Sequence, residues 1–230
     1  MEDIDAIAAL QDPVRRRLYE YVAAQGREVG RNEAAEAAGV TRTLAAHHLD
    51  KLAEAGLLES GSRRLTGRSG PGAGRPAKVY TRAREERTVS LPARDYRTAA
   101  ELLAEAAEEA GLDTGLTAAA RRRGEALRDS TAPCGDLDEA MRLLATRGYE
   151  PYAAGASDDT GEAAGAAERV VRLRNCPFHA VAERFPPLVC GMNLALLEGL
   201  LGTDGPVRAR MDARPGECCV VLEASKNNEH

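Results

Sequence analysis

Apolar residues recur at helical spacing in three consecutive segments near the start of the chain. This pattern predicts helices over 13–24, 33–38 and 42–55. Each segment follows a residue type that favours a helix N-cap. A short turn around Gly39 separates the last two helices, which is the spacing of a helix-turn-helix motif. The predicted N-cap residues are Asp12, Asn32 and Thr41.

Two strand-like segments follow, over 57–65 and 77–81, and a stretch rich in glycine and proline separates them at 66–76. Strands flanking such a stretch are typical of a β-hairpin. A glycine-rich loop can also bind phosphate, but neither Gly-Lys-Ser/Thr nor the start of a helix follows this one. We therefore interpret the hairpin as the wing of a winged helix-turn-helix domain.

Helical and strand-like patterns then mix, which predicts an α+β fold for the whole chain. The expected domains are a winged helix-turn-helix DNA-binding domain at 1–90, a helical connector at 91–130 and a small α+β sensor domain at 131–230. Small residues in the connector would suit either a dimer interface or packing against the winged domain. Its predicted helices cover 97–110 and 116–127. In the sensor domain the predicted helices cover 136–147, 177–184 and 192–201, and the predicted strands cover 149–153, 169–173, 207–211 and 218–222.

Charge is unevenly distributed along the chain. The whole chain of 230 residues has a net charge of −5, yet the segment 41–84 contains nine basic and three acidic residues, a local charge of +6. Such asymmetry favours a surface that binds a polyanion. The scarcity of aromatic residues argues against recognition of single strands by base stacking.

The first residues lack the basic and apolar regions of a signal peptide, and no apolar run approaches the ~18 residues of a membrane span. We therefore expect a cytoplasmic protein with no membrane partner. In a reducing compartment, cysteines are better interpreted as ligands or reactive thiols than as disulfides.

The outward side of the helix at 42–55 carries side chains suited to DNA. Arg42 is placed to meet guanine acceptors, Thr43 a phosphate or a thymine methyl, and His47 a base edge or a phosphate. A solvated face would explain these residues on an isolated helix, but the cationic wing beside them favours double-stranded DNA. The expected DNA contacts are Arg42, Thr43, His47, Lys51, Arg63, Arg64, Arg68, Arg75 and Lys78.

Two stretches carry a family resemblance: VTRTLAAHHLDKLAEAGLL at 40–58 and GPGAGRPAKVY at 70–80. They resemble bacterial winged-helix regulators of the broad ArsR-like group. Within that group, the chain is similar to the SufR branch of iron–sulfur assembly repressors across the winged domain, the connector and the cysteine-bearing domain. We expect a homodimeric repressor, not an enzyme, whose cysteine site senses iron–sulfur status or oxidants, since a symmetric dimer places two recognition helices one or more DNA turns apart on a palindromic operator. The resemblance implies that the cluster-loaded form represses.

Four of the five cysteines, Cys176, Cys190, Cys218 and Cys219, lie in the last quarter of the chain. Thiols distant in sequence within one compact segment can converge on a soft-metal site. Cys176 and Cys190 each precede a predicted helix, whose free N–H groups lower the pKa of a nearby thiol. Cys134 stands apart and is interpreted as structural or incidental.

The SufR resemblance implies that Cys176, Cys190 and Cys218 hold a [4Fe-4S] cluster. Cys219 stays open as the third ligand, because adjacent residues on a strand face opposite sides of a sheet and only one of them faces the cluster. The remaining iron would take His179, Glu183, a residue of a second subunit or a small molecule.

Four alternatives compete with the cluster. Zinc would be bound by Cys176, His179, Cys190 and Cys218, either as a sensed ion or as a structural one in an architectural protein. A metal-free thiol switch is another alternative, and small buried hydrophobic side chains are the third. The fourth is an enzyme with Cys176 as nucleophile and His179 as base, but no third orienting residue is evident.

Overall fold

The computed structural model describes residues 2–63, 76–128, 132–154 and 170–225. It has the predicted α+β class, and the chain divides into two compact units, Met1–Arg94 and Asp95–His230. Among the described residues, no helix has both the length and the apolar character to cross a membrane.

The first unit is a small helical domain with an antiparallel sheet. Its sheet has the strand order β1-β3-β2, and β2 with β3 forms the predicted hairpin. The strands are β1 (Val29–Gly30), β2 (Leu58–Arg63) and β3 (Ala77–Arg82). The helices are α1 (Glu2–Ala9), α2 (Pro13–Gln25), α3 (Arg31–Ala38) and α4 (Arg42–Glu54).

Local capping explains where these helices begin. The Asp12 carboxylate accepts hydrogen bonds from the N–H groups of Val14 and Arg15 at 2.8 and 3.0 Å, as predicted for the N-cap of α2. Thr41 caps α4 by accepting from the N–H of Leu44 at 3.3 Å. The prediction of Asn32 as a cap is wrong, because α3 already begins at Arg31 after an extended Gly30.

Apolar residues from α2, α3, α4 and the sheet form the core of this unit. Leu18, Leu49, Leu52 and Tyr80 are fully buried there. The sequence analysis predicts neither α1 nor β1. The two residues of β1 form a strand only through pairing with Val79 and Tyr80 of β3, some fifty positions away.

The second unit combines helices with a sheet of order β4-β5-β7-β6, in which all neighbours are antiparallel. Both helices of the predicted connector lie within this unit. Its helices are α5 (Tyr96–Glu109), α6 (Asp113–Leu127), α7 (Leu137–Ala145), α8 (His179–Ala182) and α9 (Pro186–Leu201). Its strands are β4 (Pro151–Ala154), β5 (Val170–Leu173), β6 (Val207–Met211) and β7 (Val220–Ala224).

Helices α7 and α9 contribute to a core with one face of this sheet, and α9 also packs tightly on α6. Two glycines permit the close approach of α6 and α9. A Cβ atom on Gly124 would lie 2.1 Å from the carbonyl oxygen of Leu196, and one on Gly199 would lie 2.2 Å from that of Arg121. Only glycine fits at these two positions with the helices where they are.

Candidate functional site

Helix α4 presents the predicted DNA-binding side chains to solvent. Arg42, Thr43, His47 and Lys51 are exposed, because the inward positions of the helix lie in the core. Lys51 pairs with Glu54 of the same helix at 2.7 Å. The inward, buried positions are Ala45, Leu49 and Leu52.

Asp50 links α4 to the wing through a network that the sequence analysis did not find. Its carboxylate accepts hydrogen bonds from Lys78 at 2.8 Å, from the Tyr80 hydroxyl at 2.5 Å and from Arg31 at 3.2 Å. Burial opposes the charge of Asp50, but the Lys78 and Tyr80 hydrogen bonds outweigh it and lower its pKa. No sequence pattern connects positions 31, 50, 78 and 80, since only the tertiary fold brings them together.

Lys78 therefore holds the wing strand against α4 through this carboxylate. Burial, with the hydrogen bond to Asp50, raises the pKa of Tyr80 to about 12, so its hydroxyl stays a donor at neutral pH. Because α4 and β3 share this network, the outward face of α4 keeps a fixed orientation relative to the hairpin.

Of the predicted wing arginines, Arg63 ends β2 and pairs with Glu28 at 3.4 Å, where both side chains are exposed. Such an exposed pair contributes little to stability and leaves the guanidinium near solvent. Arg64, Arg68 and Arg75 lie outside the described residues.

Four cysteines of the second unit form the thiol cluster, defined here as Cys176, Cys190, Cys218 and Cys219. Hydrogen bonds between side chains join Cys176 to Cys218, Cys218 to Cys219 and Cys219 to Cys190. The thiols come from three separate segments: the turn before α8, the second turn of α9 and the turn before β7. The fold thus joins residues up to 43 positions apart in sequence.

Two predicted positions in this cluster are corrected by the structure. Strand β7 begins at Val220 and Cys219 lies in a bend, so Cys218 and Cys219 do not alternate on a strand and both reach the cluster. Helix α9 begins at Pro186 and not at Met192, because two prolines suit its first turn. Cys190 therefore lies inside α9 and does not precede it.

Backbone hydrogen bonds hold the turn that carries the adjacent cysteines. The N–H of Cys218 donates to the carbonyl of Leu173 at the end of β5, at 2.9 Å, and the carbonyl of Cys219 accepts from the N–H of Asp212 at 2.8 Å. These bonds fix both ends of the pair against the sheet.

A buried arginine supports the same turn. Arg172 is 1% exposed and pairs with Asp212 at 2.6 Å and Glu217 at 3.2 Å. Tyr152 also donates to Glu217. These two ion pairs lie at the two ends of the segment 212–217, which directly precedes Cys218. The buried Arg172, with both of its acidic partners, therefore holds this segment in place.

A fully buried asparagine faces the thiols from α9. Asn193 Nδ2 lies 3.4 Å from Cys218 Sγ, within the reach of an N–H···S hydrogen bond, and 4.0 Å from Cys176 Sγ. The Tyr149 hydroxyl donates to Asn193 Oδ1 at 2.6 Å, which orients the amide so that its N–H groups point at the sulfurs. Tyr149 and Asn193 were missed by the sequence analysis, because neither residue type marks a thiol site by itself.

These contacts shift the pKa values of the thiols in opposite directions. Cys218 accepts from Cys176, from Cys219, from the N–H of Val220 and from Asn193, so its pKa falls well below the usual range. The pKa values of Cys176 and Cys219 rise, chiefly because each donates to Cys218 and also because each is buried. The N–H of Phe178 bonds to Cys176 Sγ and lowers its pKa, as expected near a helix N-terminus, but the other two effects outweigh it.

Two of the predicted additional ligands, His179 and Glu183, form a pair at the surface. His179 Nε2 is 3.2 Å from Glu183 Oε1, and the two side chains are 63% and 61% exposed, so they pair with each other at the surface. The imidazole of His179 therefore faces Glu183, whereas the enzyme alternative would require it to face the Cys176 thiol.

Cys134 is buried and donates to the carbonyl of Asp136 at 3.5 Å, and burial raises its pKa to about 11.

The donor chemistry of the thiol cluster fits a soft metal centre, because four sulfurs with N–H donors beside them are the ligand type of zinc and iron–sulfur sites. Within the part of the chain that the structure describes, however, no three His, Cys, Asp or Glu side chains are already arranged around an ion. Metal binding would therefore require the thiols to exchange their mutual hydrogen bonds for bonds to the metal.

Residues 10–61 match a protein-family model described as a helix-turn-helix domain. The match covers α2, α3 and α4 and extends into β2, which agrees with the predicted DNA-binding module. No curated protein gives a significant match to the chain, and no solved structure does so either.

Proposed function

We propose that this helix-turn-helix transcriptional regulator adjusts its DNA binding to the state of the thiol cluster, with a [4Fe-4S] cluster as the bound group. The observation that carries the proposal is the convergence of four thiols from three segments of the second unit. Isolated structural cysteines would have no reason to meet, whereas ligands of one centre must do so. The resemblance to SufR-like repressors supports iron–sulfur chemistry at this place.

Cys176, Cys190 and Cys218 would hold the cluster, with Cys219 beside them as the nearest further thiol. When bound, the cluster would supply covalent cross-links between the segments and a group that oxidants destroy. Asn193 and the N–H of Val220 would donate to the ligand sulfur of Cys218. Such donors to ligand atoms tune the properties of a metal site.

A second candidate is a metal-free thiol switch, which the direct contacts of Cys176 with Cys218 and of Cys190 with Cys219 favour. Each contact joins a different segment to the turn before β7, so oxidation would cross-link the same elements. Zinc bound by all four thiols is the third candidate, with Cys219 in the place that the sequence analysis gave to His179.

The proposed coupling begins at α9, which carries Cys190 and Asn193 and packs on α6 at Gly124 and Gly199. Helix α5 precedes α6 and directly follows the first unit in the sequence. A bound group changes DNA affinity only if it stabilises one arrangement of the chain more than another. We propose a homodimer in which the cluster-loaded form represses from a palindromic operator.

Metal analysis of protein purified without oxygen tests the bound group. We expect about four iron and four acid-labile sulfide per chain in the wild type. Cys218→Ser should lose both, because serine does not replace a thiolate as a soft ligand. Cys134→Ser is the matched control, since Cys134 bonds to the carbonyl of Asp136 and not to the other thiols, and should keep both. Zinc without sulfide would mean that the thiols bind zinc and not an iron–sulfur cluster.

The thiol switch has its own outcome in this experiment. A protein with neither metal nor sulfide, whose DNA affinity changes reversibly with oxidant in the wild type and not in the double variant Cys218→Ser/Cys219→Ser, would support the switch. DNA affinity that no metal, chelator or oxidant changes would contradict the regulatory proposal in all its forms.

Replacement of Arg42 tests the DNA-reading half independently of the thiols. Arg42→Ala is expected to weaken binding to a DNA site selected from random sequences by about 1–3 kcal/mol and to relax base preference at one position. Titration of labelled DNA gives both quantities. The control is Arg208→Ala, which removes the same charge from an exposed position on β6. Equal affinities of the two variants would show that Arg42 does not contact a base.

A further inference from the structure

Leu44 is a large apolar residue on the outward face of α4, and 40% of it is exposed. The other leucines of this helix, Leu49 and Leu52, are fully buried in the core of the first unit. Leu44 belongs to none of the apolar clusters formed by the described residues. Its side chain therefore lies outside the described core clusters and exposes two-fifths of its surface to solvent.

Its position on the helix is well defined. Leu44 precedes His47 by three residues and Lys51 by seven, a spacing that places the three side chains on one face of α4. The N–H of Leu44 donates a hydrogen bond to the Thr41 hydroxyl at 3.3 Å, which fixes Leu44 in the first helical turn. Arg42 and Thr43 lie in the same turn.

A single exposed leucine is ordinary on a protein surface and needs no explanation by itself. The location distinguishes Leu44, because the second helix of a helix-turn-helix enters the major groove with its N-terminal residues against the base edges. The edges of the bases in that groove carry hydrogen-bonding atoms and one apolar group, the C5-methyl of thymine. An apolar side chain in this turn matches that methyl group and no other group of the base edges.

We propose that Leu44 contacts the C5-methyl group of a thymine and specifies that base in each half-site of the operator. The proposal rests on α4 being the helix that reads DNA. It adds an apolar contact to the polar ones expected from Arg42 and His47, and to the phosphate or thymine methyl expected for Thr43. Cytosine and uracil lack the methyl group, so the contact discriminates thymine from both.

The test removes the methyl group from the DNA and the side chain from the protein. A site is selected from random sequences with the full-length wild-type chain, and each thymine in it is replaced in turn by deoxyuridine, which keeps the hydrogen-bonding atoms. Dissociation constants are measured for the wild type and for Leu44→Ala. The matched control is Met211→Ala, which truncates an apolar side chain on β6 that is 44% exposed.

At one thymine position the wild type should lose about 3- to 10-fold in affinity upon replacement by uracil. Leu44→Ala should lose a similar factor on the thymine site and nothing more on the uracil site, because the contact is already gone. Met211→Ala should behave as the wild type. Thermal unfolding should show that Leu44→Ala remains folded at the temperature of the binding measurement, since the side chain lies outside the described core clusters.

Two results would overturn the inference. If Leu44→Ala keeps wild-type affinity and base preference while Arg42→Ala loses them, α4 reads DNA without Leu44 and only this proposal fails. If the affinity lost upon uracil replacement and the affinity lost in Leu44→Ala are additive at every thymine, Leu44 contributes to binding without contacting a methyl group. Failure of both Leu44→Ala and Arg42→Ala to change binding would instead remove α4 from DNA reading altogether.

Discussion

Gly124→Ala is expected to destabilise the second unit by about 2–3 kcal/mol. The added Cβ would lie 2.1 Å from the carbonyl oxygen of Leu196 and 2.7 Å from the backbone nitrogen of Leu200. Both neighbours are backbone atoms of α9, so no side-chain rotation relieves the overlap and the two helices must separate. Thermal unfolding monitored by circular dichroism should show a midpoint lower by roughly 5–10 °C.

The same helix provides the control. Gly115 also lies in α6, but a Cβ there meets nothing within 4 Å among the described residues. Gly115→Ala should raise stability by up to about 1 kcal/mol, because alanine favours a helix over glycine by that amount. The two substitutions are chemically identical and opposite in expected sign. Equal stabilities would mean that α6 and α9 do not cross at Gly124.

The other side of the crossing gives an independent check. Gly199→Ala on α9 would place its Cβ 2.2 Å from the carbonyl oxygen of Arg121 on α6. Once one alanine has separated the helices, the second costs less, so the double variant should be less destabilised than the sum of the single effects. Because α9 carries Cys190, these variants should also alter metal retention by the thiol cluster.

Asn193→Leu is expected to weaken metal binding by the thiol cluster by about 10- to 100-fold, the range for lost outer partners of metal ligands. Leucine keeps much of the volume but removes the N–H groups that face Cys218 and Cys176 at 3.4 and 4.0 Å. Competition between the protein and a chelator for Co²⁺ measures the affinity, and absorption of the thiolate–cobalt centre reports occupancy.

The metal-free protein should respond to Asn193→Leu as well. Tyr149 is buried, and its hydroxyl would lose the acceptor that now lies at 2.6 Å. A buried donor without a partner costs about 1–3 kcal/mol, which denaturant unfolding of the apo-protein would detect. Tyr149→Phe removes the donor and keeps Asn193, so its effect on Co²⁺ affinity should be smaller. Unchanged affinity in Asn193→Leu would show that the amide does not support the ligand sulfurs.

Local patterns in the sequence predicted much of the fold. Asp12 and Thr41 cap α2 and α4 as expected, because a cap and its helix interact over two or three positions. The exposed face of α4 follows from helical periodicity, and the wing follows from two strands beside a glycine-rich stretch. The match of residues 10–61 to a helix-turn-helix domain confirms the DNA-binding module.

The boundaries of other elements depended on tertiary pairing. Strand β1 exists only because β3 offers it a partner, and the start of β7 after Cys219 follows from hydrogen bonds to Leu173 and Asp212. Neither pairing has a signal within a few residues of the strand. Adjacent residues on a strand face opposite sides of the sheet, but Cys218 and Cys219 precede the strand, so this alternation does not apply to them.

The sequence by itself determined the elements whose stabilising contacts are local: the capped helices, the hairpin and the polar outward face of α4. Only the tertiary structure decided that Asp50 joins α4 to the wing, that Gly124 and Gly199 let two helices touch, and that four thiols meet beside Asn193. The physical reason is sequence separation. A side chain's neighbours within four positions are set by helix or strand geometry, whereas partners dozens of positions away are set by how those elements pack.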